Sequence, residues 1–350
     1  MKILVTGGLG YIGSHTVIEL LQKNHEVIIL DNLSNSSVDI LSRINAITGT
    51  TPGFYQGDVY DEKTTRRIFT ENEQIDCCIH FAGLKIVNES LEKPLEYYSN
   101  NISGTLNLLN VLNKNNCKNF IFSSSASIYG DSARVPISEE TPKGECSNPY
   151  AWSKSFIEQI LADLSRSDKT WNIVSLRYFN PVGAHSSYLI GEIHKSVPTN
   201  LMPYITQVAL GQREKLFIFG SDYPTKDGTG VRDFIHVEDL AKGHAAALKL
   251  FANTQNTAQK NAPQNYHVYN LGTGKGYSVL ELVQTFARVN NVDIPYQIVE
   301  RRPADIAVSF ADVSRAFNEL GWKSELNLDT MCIDSYQFAK QYTESLYNNK

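Results

Sequence analysis

Six short apolar runs, KILVTG, EVIILD, GFYQGDV, DCCIHFAG, NFIFSSS and IVSLRYF, punctuate the first half of the chain, each parted from the next by an amphipathic stretch of helical length. Strands spaced in this way pair in parallel through helical crossovers, and a parallel sheet needs apolar cover on both faces. The pattern predicts an α/β fold, a doubly wound (Rossmann-type) parallel sheet over roughly residues 1–180. Residues 181–350 read as a smaller, less regular α/β region. There LFIFG, YHVYNLG and PYQIVE have strand character and 237–251 and 279–289 helical character, with some of these segments expected to return to the first domain. The polar stretch 253–264, NTQNTAQKNAPQ, reads as an exposed loop.

Charge and cysteine usage exclude several functions. A net charge of −5 and a pI near 5.9, with Lys and Arg scattered, leave no basic footprint for nucleic acid or a membrane surface. A small anionic ligand needs only a few local cations and stays within reach. The five Cys are odd in number and lack zinc-ligand spacing, so they read as reduced residues and no metal site is expected. The chain starts on a strand pattern, and no apolar run has the length of a membrane span. These features predict a cytoplasmic enzyme or binding protein.

The first chemical signal is TGGLGYIG, in which Gly7, Gly10 and Gly13 follow the first strand and open a helix. Glycines at such a turn let backbone N–H groups approach a pyrophosphate, which the helix N-terminus favours. Glycine turns also end strands for packing alone, so the reading leans on context. The next strand ends at Asp31, where a carboxylate can hold ribose hydroxyls and repels a 2′-phosphate, which favours NAD over NADP. The third strand leads to Asp58 and the fourth to Lys85, each readable as a ligand contact or as a solvated strand-end residue.

Two Y-x-x-x-K sequences follow, YAWSK at 150–154 and YQFAK at 336–340. On a helix, Tyr and Lys four apart share a face, and the ammonium can favour the phenolate. The settings separate them. Tyr150 follows a proline at a helix start, just after the strand NFIFSSS, which delivers Ser125 at its carboxyl end, where ligands bind in such sheets. Tyr336 lies in a C-terminal amphipathic stretch with no such surroundings and reads as the coincidental copy.

The segments TGGLGYIGSH, DNLSNS, HFAGLK, YYSNN, FSSSASIYG, NPYAWSK, LRYFNPVGAH, NLMPYI, DGTGVRDFIHVEDLA, YNLGTGKGYSVLE and RRPAD, in this order, resemble the extended short-chain dehydrogenases/reductases, and among them the UDP-glucose 4-epimerase family, along nearly the whole chain. The resemblance implies a catalytic Tyr150 with Lys154 and Ser125. It implies NAD contacts at Gly7, Gly10, Tyr11, Ile12, Gly13, Asp31, Asn32, Asp58, Val59, Phe81, Lys85, Asn100, Tyr150, Lys154 and Phe179. A UDP-hexose would be held by Ser125, Asn180, Asn200, Leu201, Arg232, Arg302, Asp305 and Ser309, with residues 181–350 as the nucleotide-sugar-binding domain. A homodimer packed through 91–113 and 150–165 is also implied.

The expected chemistry is inversion at C4 through a transient 4-keto sugar, with Tyr150 as base, Ser125 on the same oxygen, and a phenol pKa brought down from ~10 by Lys154 and the nicotinamide charge. Arg232 and Arg302 have the forked geometry to clamp a diphosphate. A nucleotide-sugar 4,6-dehydratase is the nearest rival, but dehydratases carry an Asp-Glu pair where this chain has Ala126 and Ser127. A non-catalytic NAD-sensing protein would not need Ser125, Tyr150 and Lys154 together. Ser309 stands where family members restricted to glucose and galactose carry Tyr, which predicts acceptance of UDP-GlcNAc and UDP-GalNAc as well, unless Tyr188 or Phe310 fills the gap.

Overall fold

A computed structural model describes residues 1–131, 134–193, 198, 200–252, 265–302 and 305–348. The polar stretch 253–264 lies outside the described residues. The six apolar runs of the first half are strands β1 (Lys2–Thr6), β2 (Glu26–Asp31), β3 (Gly53–Gln56), β4 (Cys77–His80), β5 (Asn119–Ser125) and β6 (Asn172–Tyr178). The second half adds β7 (Asn180–Val182), β8 (Leu216–Phe219), β9 (Val231–Arg232), β10 (Phe234–His236), β11 (Tyr266–Leu271), β12 (Tyr277–Ser278), β13 (Tyr296–Val299) and β14 (Val308–Ser309). The α-helices are α1 (Tyr11–Gln22), α2 (Ile40–Thr48), α3 (Glu62–Glu71), α4 (Val87–Glu92), α5 (Pro94–Tyr98), α6 (Gly104–Lys114) and α7 (Pro149–Ser167), then α8 (Leu201–Ala209), α9 (Val237–Ala247), α10 (Lys249–Ala252), α11 (Val279–Asn290) and α12 (Leu328–Asn348).

Seven strands form one wholly parallel sheet in the order β11-β6-β5-β4-β1-β2-β3. Strand β11 comes from the second half and extends this sheet beyond β6. Alternation along each strand sends side chains to two cores. Ile3, Val5, Val27 and Ile29 pack with Val17 and Ile18 of α1 and Leu240 of α9 on one face. Leu4, Ile28, Leu30, Phe120 and Phe122 pack with Leu108 and Leu112 of α6 and Ile157 and Leu161 of α7 on the other. Each such side chain is worth ~1.5–3 kcal/mol of burial, which is why continuous apolar runs mark the central strands so clearly.

The chain winds from β1 to β3 in one direction and then returns to place β4 on the other side of β1. The connections after β1 and β4 therefore leave in opposite directions, opening a crevice at the carboxyl ends of the strands. The remaining strands form small sheets: β7 with β10, β8 with β13, and β9 between β12 and β14. A separate core, with Met202 and Ile205 of α8, Leu216 and Ile218 of β8, Phe286 of α11 and Met331 of α12, supports them. Among the described residues, no helix is long and apolar enough to cross a membrane.

Candidate active site

At the crevice, Gly7 adopts a left-handed φ of +68°, and a Cβ on it would lie 2.8 Å from the backbone nitrogen of Ala82 after β4. A Cβ at Gly13 would lie 2.1 Å from the Gly7 carbonyl oxygen. Gly10 caps α1 with no side chain on its first N–H groups, a geometry that suits a pyrophosphate. Tyr11 donates its hydroxyl to the Gly183 carbonyl at 2.7 Å, tying this turn to the second half, and Ile12 packs on the core behind it. Burial pushes the Tyr11 phenol well up, so it serves as a fixed donor.

Asp31 shows a role beyond the expected ribose contact. Its carboxylate accepts from Leu9 N at 3.0 Å, Leu33 N at 2.9 Å and Ser36 Oγ at 2.7 Å, fastening the glycine turn to the loop after β2. A carboxylate has about four acceptor positions, so about one remains for a hydroxyl. Asn32 donates to Asp58 at 2.8 Å, and Asp58 and Asn100 meet on the walls of a 700 Å³ cleft that also includes Tyr60, Glu96 and Ser99. Val59 beside them is buried. Phe81 lies with its ring 4.7 Å from the buried His244 ring. Lys85 pairs with Glu192 at 3.1 Å, and the same carboxylate takes the Asn200 amide at 3.4 Å.

Ser125 ends β5 and caps the short 3-10 turn Ala126–Tyr129, accepting from Ser127 N at 3.2 Å and Ser127 Oγ at 3.0 Å. Helix α7 starts beside it: Asn148 caps it by accepting from Ala151 N at 2.9 Å, Pro149 takes the first position, and Tyr150 follows. The Ser125 hydroxyl faces the Tyr150 phenol and acts to draw its pKa down. Lys154 is buried, donates to the Ser123 carbonyl at 2.9 Å and has its Nζ 5.9 Å from the centre of the Tyr150 ring. The expected Ser125, Tyr150 and Lys154 thus come together.

The electrostatics correct one expectation. Burial dominates at Tyr150 and pushes its phenol above the usual value, with the Ser125 hydroxyl acting against it; no downward effect of Lys154 is evident. Burial instead brings Lys154 itself down to about 8. The protein frame alone therefore leaves the phenol protonated at neutral pH, and deprotonation requires positive charge brought by a ligand.

Residues not singled out from the sequence complete the site. Tyr178 hydrogen-bonds Ser123 through its hydroxyl, and burial together with Tyr150 pushes its phenol up; Phe179, one of the expected contacts, is buried beside it. His80 on β4 is held between Thr6 at 2.7 Å and Thr105 at 2.9 Å, and burial plus the Lys154 charge takes it down to about 3. His80 and Tyr178 lie within the segments HFAGLK and LRYFNPVGAH, but it is the pairing of β4, β5 and β6 that brings them to the site.

In the second half, Asp233 between β9 and β10 is fully buried and accepts from Thr273 N at 2.8 Å, Thr273 Oγ1 at 2.6 Å, Gly274 N at 3.1 Å and Ala311 N at 3.1 Å. This carboxylate locks the loop after β11 and the chain beyond β14 around Arg232. Arg232 pairs with Asp305, and Arg302 stacks 3.9 Å above the Phe219 ring. Ser309 lies opposite Arg232 in the β14–β9 pairing and is only 8% exposed. Asn180 is exposed on β7, and Asn200 and Leu201 begin α8. The second Tyr/Lys pair is elsewhere: Tyr336 packs edge-on against Phe286, 5.7 Å away, in the core of the second half.

The sheet, the glycine cradle and the Ser-Tyr-Lys group define an extended short-chain dehydrogenase/reductase, and residues 4–335 match the family model described as GDP-mannose 4,6 dehydratase. The chain is 53% identical to the UDP-glucose 4-epimerase of Dictyostelium discoideum, over 96% of this chain and 95% of that protein. The crystal structure of the Stenotrophomonas maltophila UDP-glucose-4-epimerase, with bound NAD and formylated UDP-arabinopyranose, superimposes with a TM-score of 0.94 at 46% identity, covering 99% of each chain. That of the Bifidobacterium longum UDP-glucose 4-epimerase, in complex with NAD+ and UDP, gives 0.91 at 51% identity, covering 98% of this chain and 99% of that one. The chain belongs to the UDP-glucose 4-epimerase family and is an isomerase.

Proposed function

We propose that this enzyme inverts C4 of UDP-hexoses, both the UDP-glucose/UDP-galactose pair and the UDP-GlcNAc/UDP-GalNAc pair, with Tyr150 moving the proton at O4. The observation that carries the proposal is the convergence of Ser125, Tyr150 and Lys154 at the carboxyl end of β5, beside a glycine cradle in which Gly7 and Gly13 leave no room for a Cβ. That cradle fits a dinucleotide, with Gly7, Gly10 and Gly13 at its pyrophosphate, Asp31 at a ribose and Asp58 and Asn100 at the adenine end. NAD, when bound, supplies a hydride acceptor and donor, together with the positive charge that offsets the burial of Tyr150.

The chain's own groups do the rest. Tyr150 takes the O4 proton as the alcohol becomes a ketone and returns it when the opposite face is reduced. Ser125 holds the same oxygen, and Lys154, fixed on the Ser123 carbonyl, keeps a positive charge near the phenol. Arg232 and Arg302 clamp the diphosphate from two sides, while Asn180, Asn200, Leu201 and Asp305 hold the nucleotide end. Anchoring UDP in this way leaves the hexose free to turn over between the two hydride transfers. Replacing Tyr150 with Phe is the test: epimerisation of UDP-galactose should fall by ~10²–10⁴-fold, the range of a general base, with UDP affinity retained. Unchanged turnover would remove Tyr150 from the mechanism.

An apolar surface supports a homodimer. Leu91, Leu95, Leu106 and Phe156 are 58%, 82%, 41% and 44% exposed on α4, α5, α6 and α7, and Phe156 adjoins Trp152 and Tyr98. Sedimentation of wild type against Leu95→Glu with Phe156→Glu tests this pairing, monomeric wild type being the refuting result. Scattered charge and five buried free Cys support a cytoplasmic enzyme without nucleic-acid or membrane partners.

A further inference from the structure

Behind the Ser125–Tyr150–Lys154 group lies a buried ionic cluster that the reaction does not consume. Glu158, one turn beyond Lys154 on α7, has a side chain that is 0% exposed. Its Oε1 accepts from Ser124 Oγ at 2.6 Å and Arg177 Nε at 2.9 Å; its Oε2 accepts from Arg177 at 2.6 Å and Lys143 Nζ at 3.1 Å. Arg177 also donates to the Tyr129 hydroxyl at 2.9 Å, which donates in turn to Asn270 at 2.7 Å. Burial alone would raise the Glu158 pKa, but Arg177, Lys143 and Ser124 outweigh it and keep the group ionised.

A buried ion pair is weak evidence for stability, because well-packed apolar residues often serve as well. The position of this one points to another role. Ser124 precedes Ser125, and Arg177 precedes Tyr178, whose hydroxyl bonds Ser123, the residue whose carbonyl holds Lys154. The carboxylate thus joins β5, β6 and α7 at the level of the site. Lys154 is faced by Tyr150 on its own helix, by the Ser123 carbonyl and the Phe122 ring from β5, and by His80, held neutral, from β4. Glu158 is the anion among these described groups; Tyr129 and Tyr266 face it from the 3-10 turn and β11.

We propose that Glu158 is a positioning residue for the epimerase reaction: through Ser124 and Arg177 it fixes the end of β5 that carries Ser125 and the Ser123 carbonyl bonded to Lys154, and it sets its carboxylate one helical turn from that ammonium. This rests on the reading that Tyr150 and Lys154 form the proton-transfer group. Burial draws Lys154 down to about 8 and Glu158 pushes it back up. Removing the negative charge lets Lys154 lose its proton at lower pH.

The test is the pH dependence of kcat for UDP-galactose, measured on the NAD-loaded wild type, Glu158→Gln, Lys143→Met and Tyr150→Phe. Glu158→Gln should move the alkaline limb down by about one pH unit, with KM within about twofold. Lys143, 31% exposed, is a milder change that removes a cation beside Glu158; Lys143→Met should move the limb up by a few tenths of a unit, and it decides the question if Glu158→Gln fails to fold. A purely structural role lowers Tm without moving the limb. Wild-type alkaline limbs in both variants, with Tyr150→Phe inactive, overturn the proposal. An active Tyr150→Phe overturns the proton-transfer reading on which it rests.

Discussion

The carbonyl oxygen of Gly7 occupies the space that any side chain at Gly13 would need, since a methyl there would lie 2.1 Å from it. The obstacle is backbone, and the Gly7 backbone is itself held by its left-handed φ and by the close approach of Ala82. This one contact sets how far the start of α1 can approach the end of β1, and so the depth of the dinucleotide cradle.

Gly13→Ala should therefore lose both cofactor and stability. Forced overpacking costs ~1–3 kcal/mol or more, and relief by moving the turn would spoil the N–H array. The expected outcome is purified protein with little bound NAD, read from its absorbance, and a lower Tm. The control is Gly49→Ala after α2, where φ is +70° and no atom lies within 4 Å of the added Cβ. It should cost only ~1–2 kcal/mol of left-handed strain and keep its NAD.

Tyr336→Phe is the internal control for the catalytic assignment. Its ring already packs on Phe286, so removing the hydroxyl keeps the packing, and kcat should stay within about twofold of wild type. A loss matching that of Tyr150→Phe, in a folded protein, would show that the wrong Tyr/Lys pair had been chosen.

Stability should fall in mild acid, for reasons unconnected with catalysis. His15, His80 and His244 are buried, and burial takes them down to about 3, 3 and 4. Each is neutral in the folded chain, whereas the unfolded chain protonates it near ~6.5. A lowered histidine pKa means that the unfolded state binds more protons below that value, so stability drops as pH falls from ~6.5 towards 4. With 1.36 kcal/mol per pKa unit, the three cost ~2 kcal/mol apiece by pH 5. Urea midpoints at pH 7.5 and pH 5 measure this, and His80→Asn should flatten the slope. Equal midpoints would mean that these side chains open to water before the chain unfolds.

What could be read in the sequence follows what local pattern encodes. Strands β1, β2, β4, β5 and β6 were legible because most of their residues are apolar and buried on both faces, the mark of a central parallel strand, and the edge strand β3 by Phe54 and Tyr55, one to each core. Strands β9, β12 and β14, two residues each, carry no periodicity; Asp233 and its backbone donors assemble that region. The place of β11 beside β6 is a long-range pairing that its own residues do not specify. Glu158 was invisible for a different reason: a Glu on a helix is solvent-facing by default, and its partners Ser124, Arg177 and Lys143 arrive from elsewhere in the chain. The spacing of Tyr150 and Lys154 conveys their proximity but not the burial that raises the phenol.

Ser309 carries the last prediction, on the range of sugars accepted. It lies opposite Arg232, the residue proposed to clamp the diphosphate, so a side chain there borders the proposed hexose site. A hexose that inverts by turning presents its C2 substituent to both sides of the pocket, and a small wall residue leaves room for an acetamido group on the side that a Tyr would fill. Ser309→Tyr should cost ~1–3 kcal/mol for the N-acetylated pair, a loss of roughly tenfold or more in kcat/KM, while the plain hexoses keep most of their rate. The measurement is kcat/KM for UDP-galactose and UDP-GalNAc in wild type and variant, with the Tm of each to exclude collapse of the β9–β14 pairing. Absence of UDP-GlcNAc turnover in wild type would show that neighbouring side chains close the gap. Equal losses on both sugars in the variant would place Ser309 away from the C2 substituent.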